Sequence, residues 1–166
     1  IANAEGVSVQ LEIAGEGSLR QAIESLRNTH LNIDVHGRLE DPLPLLKRAR
    51  FVIATGYLGM FEAFQCGIPV LTPALTAIKR RYVASLPAAD SMLTVMRTRE
   101  EMRDALQRAL APEQYPSFTA MAERGSQFVS EHTWHDIAVL LASWYNRGGK
   151  GEDVPYREQP TREYKM

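Results

Sequence analysis

The sequence predicts an α/β domain: an open, mostly parallel sheet with helices on both faces, ending in C-terminal helices. Three observations point there. Strand-like and helix-like segments alternate along most of the chain, the pattern of βα units. Glycines follow the first three strand-like segments, at Gly15 and Gly17, at Gly37, and at Gly56 and Gly59. Phe51, Val52, Ile53 and Ala54 form an unbroken apolar run, as in a parallel strand buried on both faces.

The elements follow in order. Residues 7–14 alternate apolar and polar side chains with β-branched members, and run into Gly15-Glu16-Gly17. Ser18 is placed to cap a helix whose Leu19, Ala22, Ile23 and Leu26 share one face. Residues 31–36 alternate again and close on Gly37. Asp41-Pro42 supplies a cap and a first-turn proline ahead of Leu43, Leu45, Leu46 and Ala49. After the apolar run comes a glycine loop, 55–59, then a helix over 60–65 stopped by Gly67. Pro69-Val70-Leu71 opens the next strand, and residues 92–96 form a weaker one. Thr98 and Glu101 have capping-box spacing before a stripe of Met102, Ala105, Leu106 and Ala109. Two helices finish the fold, over 116–131 and 134–145. Residues 1–147 are read as one domain and 148–166, which lose periodicity, as a flexible tail.

Composition narrows the function classes. A chain of 166 residues can bury a core without staples. A formal net charge of −1 argues against a strongly cationic nucleic-acid binder, so no nucleic-acid partner is expected. One cysteine, Cys66, cannot form an internal disulfide; it reads as a small packed hydrophobe, and a cytoplasmic location is expected. No apolar run reaches the roughly 20 residues of a membrane span, and no signal peptide is visible. The first residue is Ile1 and a strand follows almost at once, which reads as a start inside a longer protein.

Ligands of open α/β sheets collect at the carboxyl ends of the strands, where the three glycine-bearing loops fall. Glycine permits close backbone approach, and the helix after residues 56–59 aims free N–H groups at that loop, an arrangement suited to phosphate. Other chemistries find less support. His30, His36, His132 and His135 lack the spacing of a metal cluster, so no metal site is expected. No G-x-S-x-G elbow surrounds Ser18 or Ser91. Gly15-Glu16-Gly17-Ser18-Leu19-Arg20 lacks the third glycine of a dinucleotide fingerprint. Lys79, Arg80, Arg81 and Tyr82 read as a solvated helix face.

Residues 54–71, from Ala54-Thr55-Gly56-Tyr57-Leu58-Gly59-Met60-Phe61-Glu62-Ala63 to Gly67-Ile68-Pro69-Val70-Leu71, resemble the donor-binding segment of the GT-B glycosyltransferases. In that superfamily a glycine loop leads into a helix carrying Glu-Ala, followed by Gly-x-Pro-Val. The flanks agree: Leu11 to Gly17 resembles its L-x-I-x-G-x-G segment, Val35-His36-Gly37-Arg38 its V-x-G turn, and Trp134 to Ala138 its W-x-x-x-A helix start. The resemblance runs in order over residues 7–146. It implies a Rossmann-like C-terminal domain that binds a nucleotide-diphosphate sugar, with a UDP-sugar the commonest donor and no cofactor. Glu62 would accept the ribose hydroxyls, two donors at once. Gly56, Tyr57, Gly59 and Met60 would offer backbone N–H groups to the diphosphate, with Gly37 and Arg38 near the base; Leu58 and the Gly15 and Gly17 loop would belong to the same donor-binding site.

The departures from the pattern matter equally. Retaining members carry a glutamate eight positions before the ribose glutamate, and inverting relatives often a histidine; here that position is Ala54. The Arg/Lys pair used against the diphosphate belongs to an earlier βα unit, which this chain is expected to lack. No catalytic residue is assigned. The acceptor-binding N-terminal domain would be the chief partner, and any membrane contact would come through the parent protein. Two alternatives stay open: a nucleotide-sugar epimerase of the same fold, and a degenerate, non-catalytic interaction domain.

Overall fold

The computed structural model describes residues 9–26 and 32–146. The expected tail at 148–166 lies outside them. The chain falls into two compact units, Ile1–Val129 and Ser130–Met166.

The first unit alternates strand and helix as the sequence predicts. β1 (Gln10–Ala14) pairs in parallel with β2 (Asn32–Gly37), in a register that sets Ile13 beside Val35 and shifts before Ala14 meets Gly37. Between them lies α1 (Arg20–Leu26). The predicted apolar face of α1 is only partly realised. Ile23 is half-buried, whereas Leu19 and Leu26 are exposed. A seven-residue helix against a two-stranded ribbon has little surface to bury against. Its first turn forms on Arg20 N–H donating to the Gly17 carbonyl at 3.1 Å, not at Ser18.

Asp41 accepts the Leu43 N–H at 2.9 Å at the start of α2 (Leu43–Leu46), although the N-cap position itself falls on Pro42, one residue outside the first turn where the sequence predicts it. The apolar run that follows yields a strand of only two residues, β3 (Val52–Ile53). It opens a second sheet, order β3-β4-β5, with β4 at Val70–Pro73 and β5 at Leu93–Met96; both pairings are parallel. The predicted open sheet is thus parallel throughout but comes as two hydrogen-bonded ribbons. Ile53, expected inside, is 44% exposed. Among the described residues β3 is hydrogen-bonded to β4 alone, so one edge of this short strand has no partner strand.

Period-two alternation divides the β3–β5 sheet's side chains between two cores. Val70 and Leu93 join Met60, Ala63 and Phe64 of α3 (Tyr57–Gln65), with Val83 of α4 (Ala77–Ala84) and Met92 of α5 (Ala89–Met92). Leu71 and Met96 join Ala105 and Ala109 of α6 (Arg99–Leu110) and Phe118 of α7 (Tyr115–Glu131). Helices therefore cover both faces. The predicted capping box starts α6: Glu101 N–H donates to Thr98 Oγ1 at 3.1 Å, and the Glu101 carboxylate accepts the Arg97 N–H at 2.6 Å. α7 fixes α3 through one small residue, since a Cβ at Gly125 would stand 2.4 Å from the Phe64 ring.

In the second unit α8 (Trp134–Asn146) begins with another capping box. Thr133 N–H donates to Asp136 at 2.8 Å, and Asp136 N–H returns to Thr133 Oγ1 at 3.2 Å. The hydrogen bonds from the Thr133 hydroxyl and then its amide hold the Asp136 carboxyl below the usual carboxylate range. On α8 Leu141 is exposed, and the side chains of Ile137, Leu140 and Trp144 lie outside the described set. No helix among the described residues is long and apolar enough to cross a membrane.

Candidate functional site

The predicted site residues fall into two groups, each at the carboxyl end of its strand. The first joins the loops after β1 and β2. Gly15 N–H donates to the Gly37 carbonyl at 2.6 Å, and both glycines have positive φ, 133° and 70°, which a side chain would strain. Gly37 is buried beneath the neighbouring Arg20 and Glu16 side chains, while Arg38 and Gly17 are exposed. Nearby on the ribbon Glu12 accepts from His36 Nε2 at 2.9 Å and from the Arg48 guanidinium. Burial pushes the Glu12 carboxyl up, but the hydrogen bonds and charges of Arg48 and His36 outweigh it and leave the group lowered.

The second group is the start of α3. The helix begins at Tyr57, three residues earlier than predicted, so Gly59 belongs to its first turn and Gly56 is its N-cap. The early start changes which amides are open. Met60 is now the fourth helical residue; its N–H donates to the Gly56 carbonyl at 3.1 Å, and its side chain is fully buried in the core. Tyr57 N–H donates to the Tyr82 hydroxyl at 2.9 Å. The reading that Tyr57 and Met60 offer free amides is therefore corrected. Among the described residues the Leu58 and Gly59 amides have no partner.

Neither Gly56 nor Gly59 is demanded by the fold. Gly56 has an ordinary extended conformation, φ −128° and ψ 154°, with open space where a Cβ would stand. At Gly59 an added Cβ would meet only the Ala54 methyl, at 3.7 Å, an ordinary contact. Conformation and packing thus leave room for side chains where the sequence has none. Glu62 is half-buried, and three and four residues beyond Gly59 and Leu58 it shares their side of the helix. No described residue donates to its carboxylate. At the position where relatives of this pattern carry Glu or His, the Ala54 methyl is buried and offers no titratable group.

Sequence reasoning missed the contribution of α4. Lys79 and Tyr82 do not stand on a solvated face. Lys79 Nζ donates to the Thr55 carbonyl at 2.6 Å and lies 4.8 Å from the centre of the Tyr82 ring. That ring stacks on Tyr57 with centroids 4.0 Å apart. The Tyr57 hydroxyl reaches the Tyr82 carbonyl and Ser85 Oγ. The legible signal was positional. Lys79 and Tyr82 are three apart on a short helix after β4, so they share a face. Arg80 and Arg81 are exposed, as expected of a charged run.

A cleft of 490 Å³ is lined by β5, the following Arg97, and Glu101, Asp104, Ala105 and Arg108 of α6, and by none of the predicted site residues. Among the described residues no group of three or more His, Cys, Asp or Glu side chains gathers as a metal site would require.

No family model matches the chain, and no curated protein matches it. Solved structures do. WaaG, a glycosyltransferase involved in lipopolysaccharide biosynthesis, aligns with a TM-score of 0.57 and 22% identity, over 75% of this chain and 34% of its own. TarM aligns with a TM-score of 0.65 and 17% identity, over 87% of this chain and 29% of its own. An S. aureus TarM mutant in complex with Fondaparinux, alpha-GlcNAc-glycerol and UDP aligns at 0.61 and 17%, over 83% and 28%. The chain thus spans about a third or less of the length of each.

Proposed function

Because the chain has the fold of the C-terminal part of GT-B glycosyltransferases, we propose that it is the donor-binding part of such an enzyme and holds a nucleotide-diphosphate sugar at the start of α3. The observation that carries this is the pairing of two glycines the fold does not need with one half-buried carboxylate that no described residue engages. Gly56 and Gly59 leave the backbone bare beside two open amides, and Glu62 follows one turn on. A diphosphate fits the amides and the positive end of the helix dipole. A ribose, with two vicinal hydroxyl donors, fits a carboxylate that only accepts. A structural neighbour bound to UDP supports the ligand class.

Sugar transfer breaks the bond between the anomeric carbon and the diphosphate oxygen and forms one to the acceptor oxygen, which loses its proton to a base. On this reading the Leu58 and Gly59 amides stabilise the negative charge gathering on the departing diphosphate. No described side chain stands as the base, and Ala54 contributes neither an acid nor a base. The buried Ala54 also favours a second reading, a chain that binds the nucleotide but has given up transfer.

Thermal unfolding with saturating UDP, GDP or dTDP tests the proposal. A ligand at 100 times its Kd stabilises by about 2.7 kcal/mol, which raises the midpoint of a domain this size by roughly 5–10 °C. Glu62→Ala is expected to reduce that affinity by about 10- to 100-fold, the effect of losing a charged hydrogen-bond partner. Gly59→Ala is expected to keep the unliganded midpoint and abolish the shift. If none of the nucleotides moves the wild-type midpoint, the proposal is wrong.

A further inference from the structure

Resting on the donor-site reading, we infer that Tyr82 governs affinity and ligand selection at this site by occupying, with its own hydroxyl, the first amide of α3. Of the first-turn amides, Leu58 and Gly59 are open, but that of Tyr57 already donates to Tyr82 Oη at 2.9 Å. This oxygen sits where a phosphate oxygen would have to sit to use the same amide. An N–H in this geometry has one strong acceptor position, so the two oxygens compete.

The occupant is held from several sides. The Tyr82 ring stacks on the Tyr57 ring at 4.0 Å and 16°. The Tyr82 carbonyl accepts from the Tyr57 hydroxyl, and the Lys79 ammonium, bonded to the Thr55 carbonyl, lies 4.8 Å from the centre of the Tyr82 ring. Rotation about the ring axis leaves a phenol oxygen in place, so clearing the amide requires the ring to tilt out of its stack. Tyr82 thus sets a threshold. A nucleoside diphosphate meets two open amides and must displace a phenol to gain the third. A nucleoside makes no demand on these amides and is indifferent to Tyr82.

Tyr82→Phe keeps the ring, the stack and the contact with Lys79 while removing the oxygen. The measurement is calorimetric titration of the 166-residue chain with UDP and, separately, with uridine, for wild type, Tyr82→Phe and Ser85→Ala. The variant is expected to bind UDP about fivefold more tightly, the change that one neutral hydrogen bond commands, with uridine affinity unchanged and a lower unliganded midpoint. Ser85→Ala loosens the same cluster at the Tyr57 hydroxyl but leaves the amide occupied, and is expected to lower the midpoint with no gain in affinity. In amide NMR spectra the Tyr57 resonance should move with UDP strongly in Tyr82→Phe and weakly in wild type. UDP affinity unchanged or weakened in Tyr82→Phe, while wild type binds UDP and Glu62→Ala does not, overturns the role of Tyr82 and leaves the donor site standing. Equal gains in Tyr82→Phe and Ser85→Ala also overturn it, since general loosening then explains both. Wild type that binds none of UDP, GDP and dTDP removes the donor reading, and this inference with it.

Discussion

Thr72 is the buried residue whose chemistry is least satisfied. Its side chain is fully enclosed on β4, and its hydroxyl has no hydrogen-bond partner among the described residues. An unmade hydrogen bond in the interior costs about 1–3 kcal/mol, whereas an apolar group of the same shape costs nothing of that kind. Thr72→Val is therefore expected to raise the thermal midpoint by about 2–4 °C for each kcal/mol regained; an unchanged or lower midpoint would show that the hydroxyl is satisfied in solution. Glu12 supplies the pH dependence. Its pKa is lowered in the folded state, so its contribution is present above the unfolded pKa and is lost as pH falls through the folded one. Between pH 6 and pH 3 the wild-type midpoint should fall further than that of Glu12→Gln. Equal slopes would deny the cluster with His36 and Arg48 any such role.

Among the elements, α3 does two jobs, and its two sides are exposed to different mutations. Its inner side carries Met60, Ala63 and Phe64, all fully buried, and α7 closes on the Phe64 ring at Gly125. Gly125→Ala forces a methyl into that ring, and overpacking of this kind costs about 1–3 kcal/mol. It is expected to lower the urea midpoint without changing the m-value; a rise would mean that α7 gains more from alanine's helix propensity than it loses in packing. Phe64→Ala, by contrast, leaves a void and is expected to cost about 3–5 kcal/mol. On the other side, Gly59→Ala is the informative change, because the fold has room for it. Glycines at Gly15, Gly37 and Gly67 answer to positive φ, so their substitution tests backbone strain and says little about a ligand.

For the molecule as a whole, the βα order, the parallel pairing and the helices on both faces were legible in the sequence. Period-two and helical periodicities report burial, and β4 is buried over most of its length, β5 at both ends and α6 at Ala105 and Ala109 of one face. Legibility failed where burial is thin. The apolar run at 51–54 shrank to two strand residues, because periodicity cannot tell a strand with two neighbours from one with a single neighbour. Leu19 and Leu26 have the spacing of a core face but little to cover them. At the candidate site, the glycines and Glu62 were readable as a motif, yet the start of α3 was placed three residues late. Gly59 looked like a loop residue because glycine usually breaks helices. Lys79 and Tyr82 were read by composition as solvated, since a run of basic residues usually is. Their role depends on the long-range packing of α4 against α3, which no local pattern carries.

The separation of the parallel sheet into two ribbons has a thermodynamic consequence. With no strand-to-strand hydrogen bonds between β2 and β3 among the described residues, the β1–β2 ribbon can open without breaking the β3–β5 ladder. Proteins unfold locally in such cooperative pieces, each with its own free energy. The Gly37-Arg38 turn belongs to the weaker piece and the start of α3 to the stronger. A ligand that bridges them couples their opening equilibria, and binding energy then appears as protection of backbone amides far from any contact. Hydrogen exchange is expected to show β1 and β2 exchanging faster than β4 and β5, with nucleotide slowing the fast pair toward the slow one. Protection confined to α3 would mean that the nucleotide rests on one ribbon only, and that the two remain independent cooperative units even when the site is full.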